Sequence, residues 1–162
     1  GDILKIFKEP IQDNDTNLSL RKRLVKKSAE VLGDVLENWV KGKIKPEKQD
    51  DSKATYCWQK DISKENAEIK WEEMEPEYIE RLIRAMIPWP VAWTTWNEKR
   101  VILFDVEVVK NDCSKEPGTL FEEDSHLLFA TKREDTCIKV NTLQVAGKRK
   151  MGAEEFLNGR NL

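Results

Sequence analysis

The run IPWPVAWTTW, over residues 87–96, constrains this chain more than any other segment, because it interleaves two prolines with three tryptophans. A helix cannot continue through Pro88, since proline lacks the backbone N–H and its ring collides with the preceding turn. The residue before each proline is also pushed toward extended backbone. Indole rings bury a large apolar surface. The run therefore predicts a rigid corner that buries its rings where the chain changes from helix to sheet.

The residues on either side of this corner carry the signals of one helix and several short strands. Pro76 suits the first turn of a helix that runs to Met86. A strand is predicted over residues 101–109, with one face formed by Ile102, Phe104, Val106 and Val108. Further strands are predicted over residues 119–122, 126–131 and 136–145, and a closing helix over residues 152–157. Short strands with turn signals and a helix between them favour a small Greek-key barrel.

The first 45 residues predict a short strand, over residues 3–11, and then a long helix. Asp15 or Thr16 caps this helix, which ends near Gly42. A single strand cannot cover the helix's apolar stripe, because even a two-stranded hairpin is marginal alone. We expect the cover to be an α/β sheet upstream, a second chain or the chain's own barrel. The stripe contains Leu20, Leu24, Val31, Leu32, Val35, Leu36, Trp39 and Val40.

Charge and cysteine content narrow the function classes. The chain has 28 basic and 30 acidic residues and a net charge of −2, so any RNA contact must come from local patches. Three widely spaced cysteines, without a CxxC or Cys/His cluster, indicate neither a disulfide framework nor a zinc site, and favour a reducing cytoplasmic setting. No apolar run approaches the roughly 20 residues that span a bilayer, so no membrane partner is expected.

Residues for catalysis are not evident in the sequence. The only histidine, His126, lies on a predicted strand with no nucleophile arrangement near it, and no glycine-rich phosphate loop occurs. We predict no catalytic residue and no metal ligand in this chain. The basic cluster over residues 21–27 falls off the apolar stripe, which indicates a solvated helix face. Lys148, Arg149 and Lys150 follow a predicted barrel strand, where barrels of this kind often bind nucleic acid.

Several blocks of the sequence resemble, in order, the C-terminal half of the methionyl-tRNA formyltransferase family. The most specific is IERLIRAMIPWPVAW, over residues 79–93. Other matching blocks are GDIL (1–4), KPEKQD (45–50), ATY (54–56), PGT (117–119), LQVAGKRKM (143–151) and FLNGR (156–160).

The resemblance implies an α+β chain with three parts. Residues 1–45 would be a strand and long amphipathic helix left from the α/β formyltransferase catalytic domain, residues 46–62 a linker, and residues 63–162 an OB-like Greek-key β-barrel domain with flanking helices. The full-length enzyme would transfer a formyl group from 10-formyltetrahydrofolate to the amino group of initiator Met-tRNA in the cytoplasm. Its catalytic Asn, His and Asp lie upstream of the matched blocks, so this chain alone would bind no cofactor and be inactive.

The resemblance also implies initiator tRNA as a partner, bound by basic residues of the linker and barrel. The implied contacts are Lys60, Lys64, Lys148, Arg149, Lys150 and Arg160. Two alternatives remain: the C-terminal part of a sugar-nucleotide N-formyltransferase, and a non-catalytic barrel that binds RNA or protein. Self-association through the exposed N-terminal helix is a further expectation.

Overall fold

The computed structural model describes residues 1–159, and the chain divides into two compact units. The N-terminal unit is Gly1–Trp58, and the C-terminal unit begins at Gln59. Among the described helices, none combines the length and apolar character needed to cross a bilayer. All of the buried apolar side chains in residues 1–159 belong to the C-terminal unit.

The N-terminal unit is built around one long helix, α1 (Asn17–Val40). Its N-cap is Thr16, whose hydroxyl accepts a hydrogen bond from the Ser19 N–H at 3.2 Å. The Ser19 hydroxyl accepts one from the Thr16 N–H at 3.0 Å, so this capping box satisfies two backbone donors that the helix leaves unpaired. The long helix predicted to begin after Asp15 or Thr16 is confirmed. A short 3₁₀ helix, Asp51–Lys53, follows in the same unit.

The strand predicted over residues 3–11 is wrong. The only ladder contact that the structure describes there is an isolated antiparallel bridge between Ile3 and Glu47, with N–H to carbonyl distances of 2.7 and 2.9 Å. A strand needs a neighbour to receive its backbone hydrogen bonds along its length. Residues 1–58 contain no strand, so the segment meets Glu47 at the Ile3 bridge alone.

A polar cluster fastens the segment before α1 to the helix. Arg23 donates to both carboxylate oxygens of Asp15, at 2.6 and 2.5 Å, and to Glu9 at 2.8 Å. Asp15 also accepts from the Ser19 hydroxyl at 2.6 Å and from the Gln12 N–H at 2.9 Å. These hydrogen bonds, that of Arg23 first, hold the pKa of Asp15 well below its usual range. The sequence position of Arg23 indicated a solvated helix face. The structure corrects this for Arg23, because its guanidinium is bonded to Asp15 and Glu9.

The C-terminal unit contains one curled antiparallel sheet of six strands. Neighbouring strands follow the order β1-β2-β5-β4-β3, and β6 pairs with the end of β5 beyond β4. The four strands that the sequence predicts within this unit are confirmed. No ladder within residues 1–159 joins β1 to β3, so the described sheet is a half-barrel, and OB-like closure stays a prediction. The strands are β1 Trp93–Trp96, β2 Lys99–Lys110, β3 Leu120–Glu123, β4 His126–Ala130, β5 Thr136–Val145 and β6 Met151–Gly152.

A β-bulge in β2 corrects the predicted face of that strand. Leu103 pairs with Leu143 and Asp105 with Thr142, so Phe104 is an extra residue on the β2 side. The residues that reach the core are Val101 and Leu103 before the bulge and Val106 after it. The prediction that Ile102 and Phe104 share a face with Val106 is therefore wrong, because strict alternation cannot anticipate an inserted residue.

Two-residue turns join two pairs of strands. Asn97 and Glu98 connect β1 to β2, and Asp124 and Ser125 connect β3 to β4. All four residues have positive φ, between 46° and 63°, as type I′ hairpins require. The sequence analysis did not predict the first hairpin. It interpreted residues 87–96 as a corner, whereas the last four of these residues form strand β1.

The tryptophan-rich corner buries its rings only in part. Trp93 and Trp96 are half-buried, and Trp96 meets Phe156 edge-on with ring centroids 5.6 Å apart. Trp89 is 59% exposed, so the prediction that this corner packs its rings inside fails for one of the three tryptophans.

The core lies between the concave side of the sheet and two helices, α2 (Pro76–Ala85) and α3 (Ala153–Asn158), both close to their predicted positions. Trp71 stacks on Phe129 with ring centroids 4.6 Å apart, and its indole N–H donates to the Thr94 hydroxyl at 2.8 Å. Gly118 is required beside this ring: its φ is +85°, and a Cβ there would lie 2.6 Å from Trp71 Cδ1. The predicted turn at Pro117 and Gly118 thus closes over the core.

The cysteines depart from expectation. Cys113 and Cys137 form a disulfide, with Cα atoms 5.9 Å apart, between the loop after β2 and the first residues of β5. Both are buried, whereas Cys57 is exposed and free. The sequence spacing of 24 residues gave no sign of this pair, since the register of β2 against β5 brings the two positions together.

Candidate nucleic-acid interface

The loop that carries Lys148, Arg149 and Lys150 is fixed to the end of β5. Gly147 has φ +78°, and the Lys148 N–H donates to the Val145 carbonyl at 2.9 Å. The Gln144 side chain donates to the Lys148 carbonyl at 2.9 Å. A turn with these bonds holds the three basic residues in a defined place beside β2 and β5.

Two of the three cations have partners in the structure. Arg149 donates to the Glu155 carboxylate of α3 at 2.5 Å, although the Arg149 side chain is 73% exposed. The Lys150 ammonium lies 4.2 Å from the centroid of the Phe104 ring, the residue that the β-bulge leaves outside the core. A cation over an aromatic face is attracted by the ring's quadrupole, so Lys150 is positioned rather than freely mobile.

Lys64 and Arg100 meet at the ring of Trp93. The Trp93 indole N–H donates to the Lys64 carbonyl at 2.7 Å, and the Arg100 guanidinium lies 4.0 Å from the indole centroid. The Ala146 N–H donates to the Arg100 carbonyl at 2.8 Å, which joins this group to the loop after β5. These contacts link Lys64, the Trp93 ring, Arg100 and the loop after β5 into one group of residues. We call it the basic face; it comprises Lys64, Trp93, Arg100, Phe104, Lys148, Arg149 and Lys150.

One carboxylate lies close to the basic face. The pKa of Glu65 is lowered by a hydrogen bond from its own backbone N–H, by the Ser63 hydroxyl, and by the charges of Lys64 and Arg100. Glu65 is therefore ionised at neutral pH and offsets part of the local positive charge. Glu155, which is paired with Arg149, offsets a further part of that charge.

The structure brings together four of the six predicted tRNA contacts. Lys64 and Lys148 to Lys150 lie on the basic face, and Lys60 is exposed in the 3₁₀ helix Gln59–Asp61. Arg160 lies outside the described residues. The sequence missed Arg100, whose only basic neighbour in the chain is Lys99. The strand pairing that sets Ile102 beside both Trp93 and Gln144 brings it into place.

Catalytic groups are not assembled in the described part of the chain. His126 is exposed at the start of β4. Within residues 1–159 no group of three or more His, Cys, Asp or Glu residues is arranged to hold a metal ion. The arrangement of basic side chains in the described residues is suited to binding a polyanion and offers no evident nucleophile.

Comparisons with known proteins show similarity in both sequence and fold. The family model described as formyl transferase, C-terminal domain, matches residues 61–161. A methionyl-tRNA formyltransferase of Halalkalibacterium halodurans is 36% identical over 159 residues, which cover 98% of this chain and 49% of that protein. The chain thus spans about half the length of the curated relatives it matches.

Two solved structures share the fold at lower identity. HypX from Aquifex aeolicus, in complex with tetrahydrofolic acid, has a TM-score of 0.66 and 19% identity, covering 97% of this chain and 27% of that one. An N-formyltransferase from Helicobacter canadensis, in complex with folinic acid and dTDP-3-aminofucose, has a TM-score of 0.62 and 16% identity, covering 86% and 50%. The chain belongs to the formyl transferase C-terminal domain family, and its resemblance to methionyl-tRNA formyltransferases is confirmed.

Proposed function

We propose that this chain is the C-terminal part of a methionyl-tRNA formyltransferase and that it binds initiator tRNA through the basic face. The observation that carries the proposal is that the Trp93 ring contacts the Lys64 carbonyl and the Arg100 guanidinium, and that the Arg100 backbone is bonded to Ala146, at the start of the lysine-rich loop. Phosphate contacts from Lys and Arg supply most of the affinity of such interfaces. The similarity to methionyl-tRNA formyltransferases over nearly the whole chain supports tRNA as the polyanion.

Formyl transfer itself is proposed to occur in the part of the enzyme that corresponds to the other half of these relatives. There 10-formyltetrahydrofolate would donate its formyl group to the amino group of Met-tRNA. The only histidine of this chain, His126, is exposed at the start of β4, and the catalytic Asn, His and Asp that the family resemblance implies lie upstream of the matched blocks. The chain alone is expected to give no formylated Met-tRNA above background, and measurable turnover would contradict this assignment.

The tRNA proposal is tested by titrating labelled initiator tRNA with the 162-residue chain at several salt concentrations. Each phosphate contact contributes a log–log slope of about 0.7–0.9. The triple variant Lys148→Gln, Arg149→Gln, Lys150→Gln is expected to flatten this slope by about two to three units. Equal slopes for the wild type and the triple variant would show that the loop is only a solvated turn.

A matched control is available in the N-terminal unit. The variant Lys22→Gln, Lys26→Gln, Lys27→Gln removes the same charge from the exposed side of α1. Its salt slope is expected to stay close to that of the wild type, because we assign this helix face to solvent. If both triple variants lose affinity equally, bulk charge rather than the basic face explains the binding.

Two alternative functions would be supported by other results of these experiments. A sugar-nucleotide N-formyltransferase needs no tRNA surface, so absence of specific tRNA binding would favour it; the shared fold with the Helicobacter canadensis enzyme supports keeping it. A non-catalytic barrel that binds RNA or protein would lack the catalytic half. Reading the frame upstream of Gly1 for a folate-binding sheet with an Asn and a His separates these two classes.

A further inference from the structure

We infer that Arg100 is a phosphate-binding residue of the basic face, held in position by the ring of Trp93. This inference rests on the proposed binding of tRNA and deepens it. It assigns a phosphate contact to Arg100, which lies near the start of β2 and far in sequence from the lysine-rich loop.

The Trp93 ring is a fixed support. Its indole N–H is bonded to the Lys64 carbonyl at 2.7 Å, and its backbone is bonded on both sides to the segment at Ala67 and Ile69, at 3.0 and 2.8 Å. Trp93 also pairs with Ile102 in the β1–β2 hairpin. A side chain whose backbone is bonded on both sides and whose ring nitrogen is bonded as well offers a fixed support for the guanidinium that lies over it.

Arg100 keeps its charge available. No carboxylate of residues 1–159 forms an ion pair with it within 4.0 Å, whereas Arg149 is paired with Glu155 and Arg133 with Glu77. Glu65 acts on it only over a longer range. A guanidinium that lies over a ring still has N–H donors free to bind a ligand, in the fork that matches phosphate oxygens.

The position of Arg100 suits a ligand that runs across the basic face. Its carbonyl accepts from Ala146, at the start of the loop that carries Lys148 to Lys150, and its side chain meets the ring tied to Lys64. It therefore stands between the two groups that the sequence predicted separately. A single nucleic-acid backbone passing from Lys64 to Lys150 would meet Arg100 on the way.

The decisive variant is Arg100→Gln in the 162-residue chain, titrated with labelled initiator tRNA across a series of salt concentrations. We expect the affinity at low salt to fall about tenfold and the log–log slope to fall by about 0.7–0.9, the value for one phosphate contact. The matched control is Lys115→Gln. Lys115 also lies over an aromatic ring, with its ammonium 5.0 Å from the Phe121 centroid, but beside β3 at the other edge of the sheet. Its removal should change the affinity less than twofold and leave the slope unchanged.

Two further variants separate positioning from charge. Arg100→Lys and Trp93→Leu both keep a cation at the site but lose the stacked guanidinium. Each is expected to weaken binding about threefold while the salt slope stays at the wild-type value. If Trp93→Leu unfolds, Arg100→Lys alone tests the point, since it leaves the support intact.

The outcomes distinguish this inference from the proposal beneath it. If the wild-type chain does not bind the tRNA, both are overturned. If the wild type binds, the Lys148–Lys150 triple variant flattens the slope and Arg100→Gln does not, then only the role of Arg100 is overturned. Equal losses for Arg100→Gln and Lys115→Gln would also overturn it, because bulk charge would then account for the effect.

Discussion

Different interactions stabilise the two units of this chain internally. The C-terminal unit has a contiguous apolar core in which Phe129, Ile138 and Leu143 are fully buried. The N-terminal unit buries no apolar side chain among its residues, and its one buried side chain is the carboxylate Asp15. One unit is thus stabilised by apolar surface removed from water, and the other by a capped helix and a polar cluster.

This difference shows that an amphipathic pattern specifies a helix without specifying a core. Helix α1 forms where its cap and periodicity predict, yet it contains no buried residue. Leu18, Val25, Leu32 and Leu36 remain more than half exposed, and their spacing of seven, seven and four residues lines them along one side of the helix. The capping box acts locally and provides no cover for this row, which differs from the predicted stripe, since Leu20, Val31 and Val35 of the stripe are half-buried.

The largest expected effect is the loss of stability when a core side chain is truncated. Phe129→Ala removes a fully buried ring that stacks on Trp71, and it should lower the free energy of unfolding of the C-terminal unit by about 3–5 kcal/mol. Leu32→Ala, at a site 54% exposed in α1, should change stability by less than about 0.5 kcal/mol. Urea unfolding followed by tryptophan fluorescence and by far-ultraviolet circular dichroism measures both. Comparable losses for the two variants would show that α1 is as well buried as the sheet.

The sequence predicted the elements whose signals are local. The caps, the apolar spacing of α1 and α2, and the turn at Gly118 all lie within a few residues of what they specify. The family resemblance added the direction in which to search for a tRNA surface, and four of its six residues meet on the basic face.

The features that the sequence did not reveal depend on pairing between distant segments. The bulge at Phe104 exists only relative to β5, and it moves Phe104 out of the core and under Lys150. Cys113 and Cys137 meet only because of the same strand register. Arg100 has no basic neighbour pattern beyond Lys99, and its place on the basic face is set by the β1–β2 hairpin and by Ala146.

A second way to sharpen the comparison is to ask what covers α1. We propose that the row formed by Leu18, Val25, Leu32 and Leu36 associates with a second copy when the chain is studied alone. Leu32→Glu should then abolish a concentration-dependent increase in sedimentation coefficient and reduce hydrophobic-dye binding. Gly33→Glu adds the same charge at the next position, where a Cβ meets no atom within 4 Å, and should preserve association. A wild-type chain that sediments as a monomer at every concentration and binds no dye would contradict the proposal.

The smallest expected effect concerns the response of the two units to acid. Asp15 is held by Arg23, Ser19 and Gln12, and its pKa in the folded chain is lower than the value of about 3.9 in an unfolded one. A lowered pKa means that Asp15 contributes stability above about pH 4 and that this contribution is lost as the pH falls below that value toward the folded pKa. Because the N-terminal unit has no apolar core to compensate, its helix content should fall in that range.

Asp15→Asn tests this reasoning, since it keeps the shape of the side chain and removes its charge. At neutral pH the variant should lose part of the wild-type helix stability, because Arg23 loses one of its two carboxylate partners and keeps only Glu9. As the pH falls below about 4, the stabilities of the two proteins should approach each other, since the carboxylate of the unfolded wild type is protonated there and the charge of the folded one contributes progressively less. Thermal melts followed by circular dichroism, from neutral pH to about pH 2, measure the convergence. A constant difference between the two proteins at every pH would mean that shape and hydrogen bonding at Asp15, rather than its charge, stabilise the N-terminal unit.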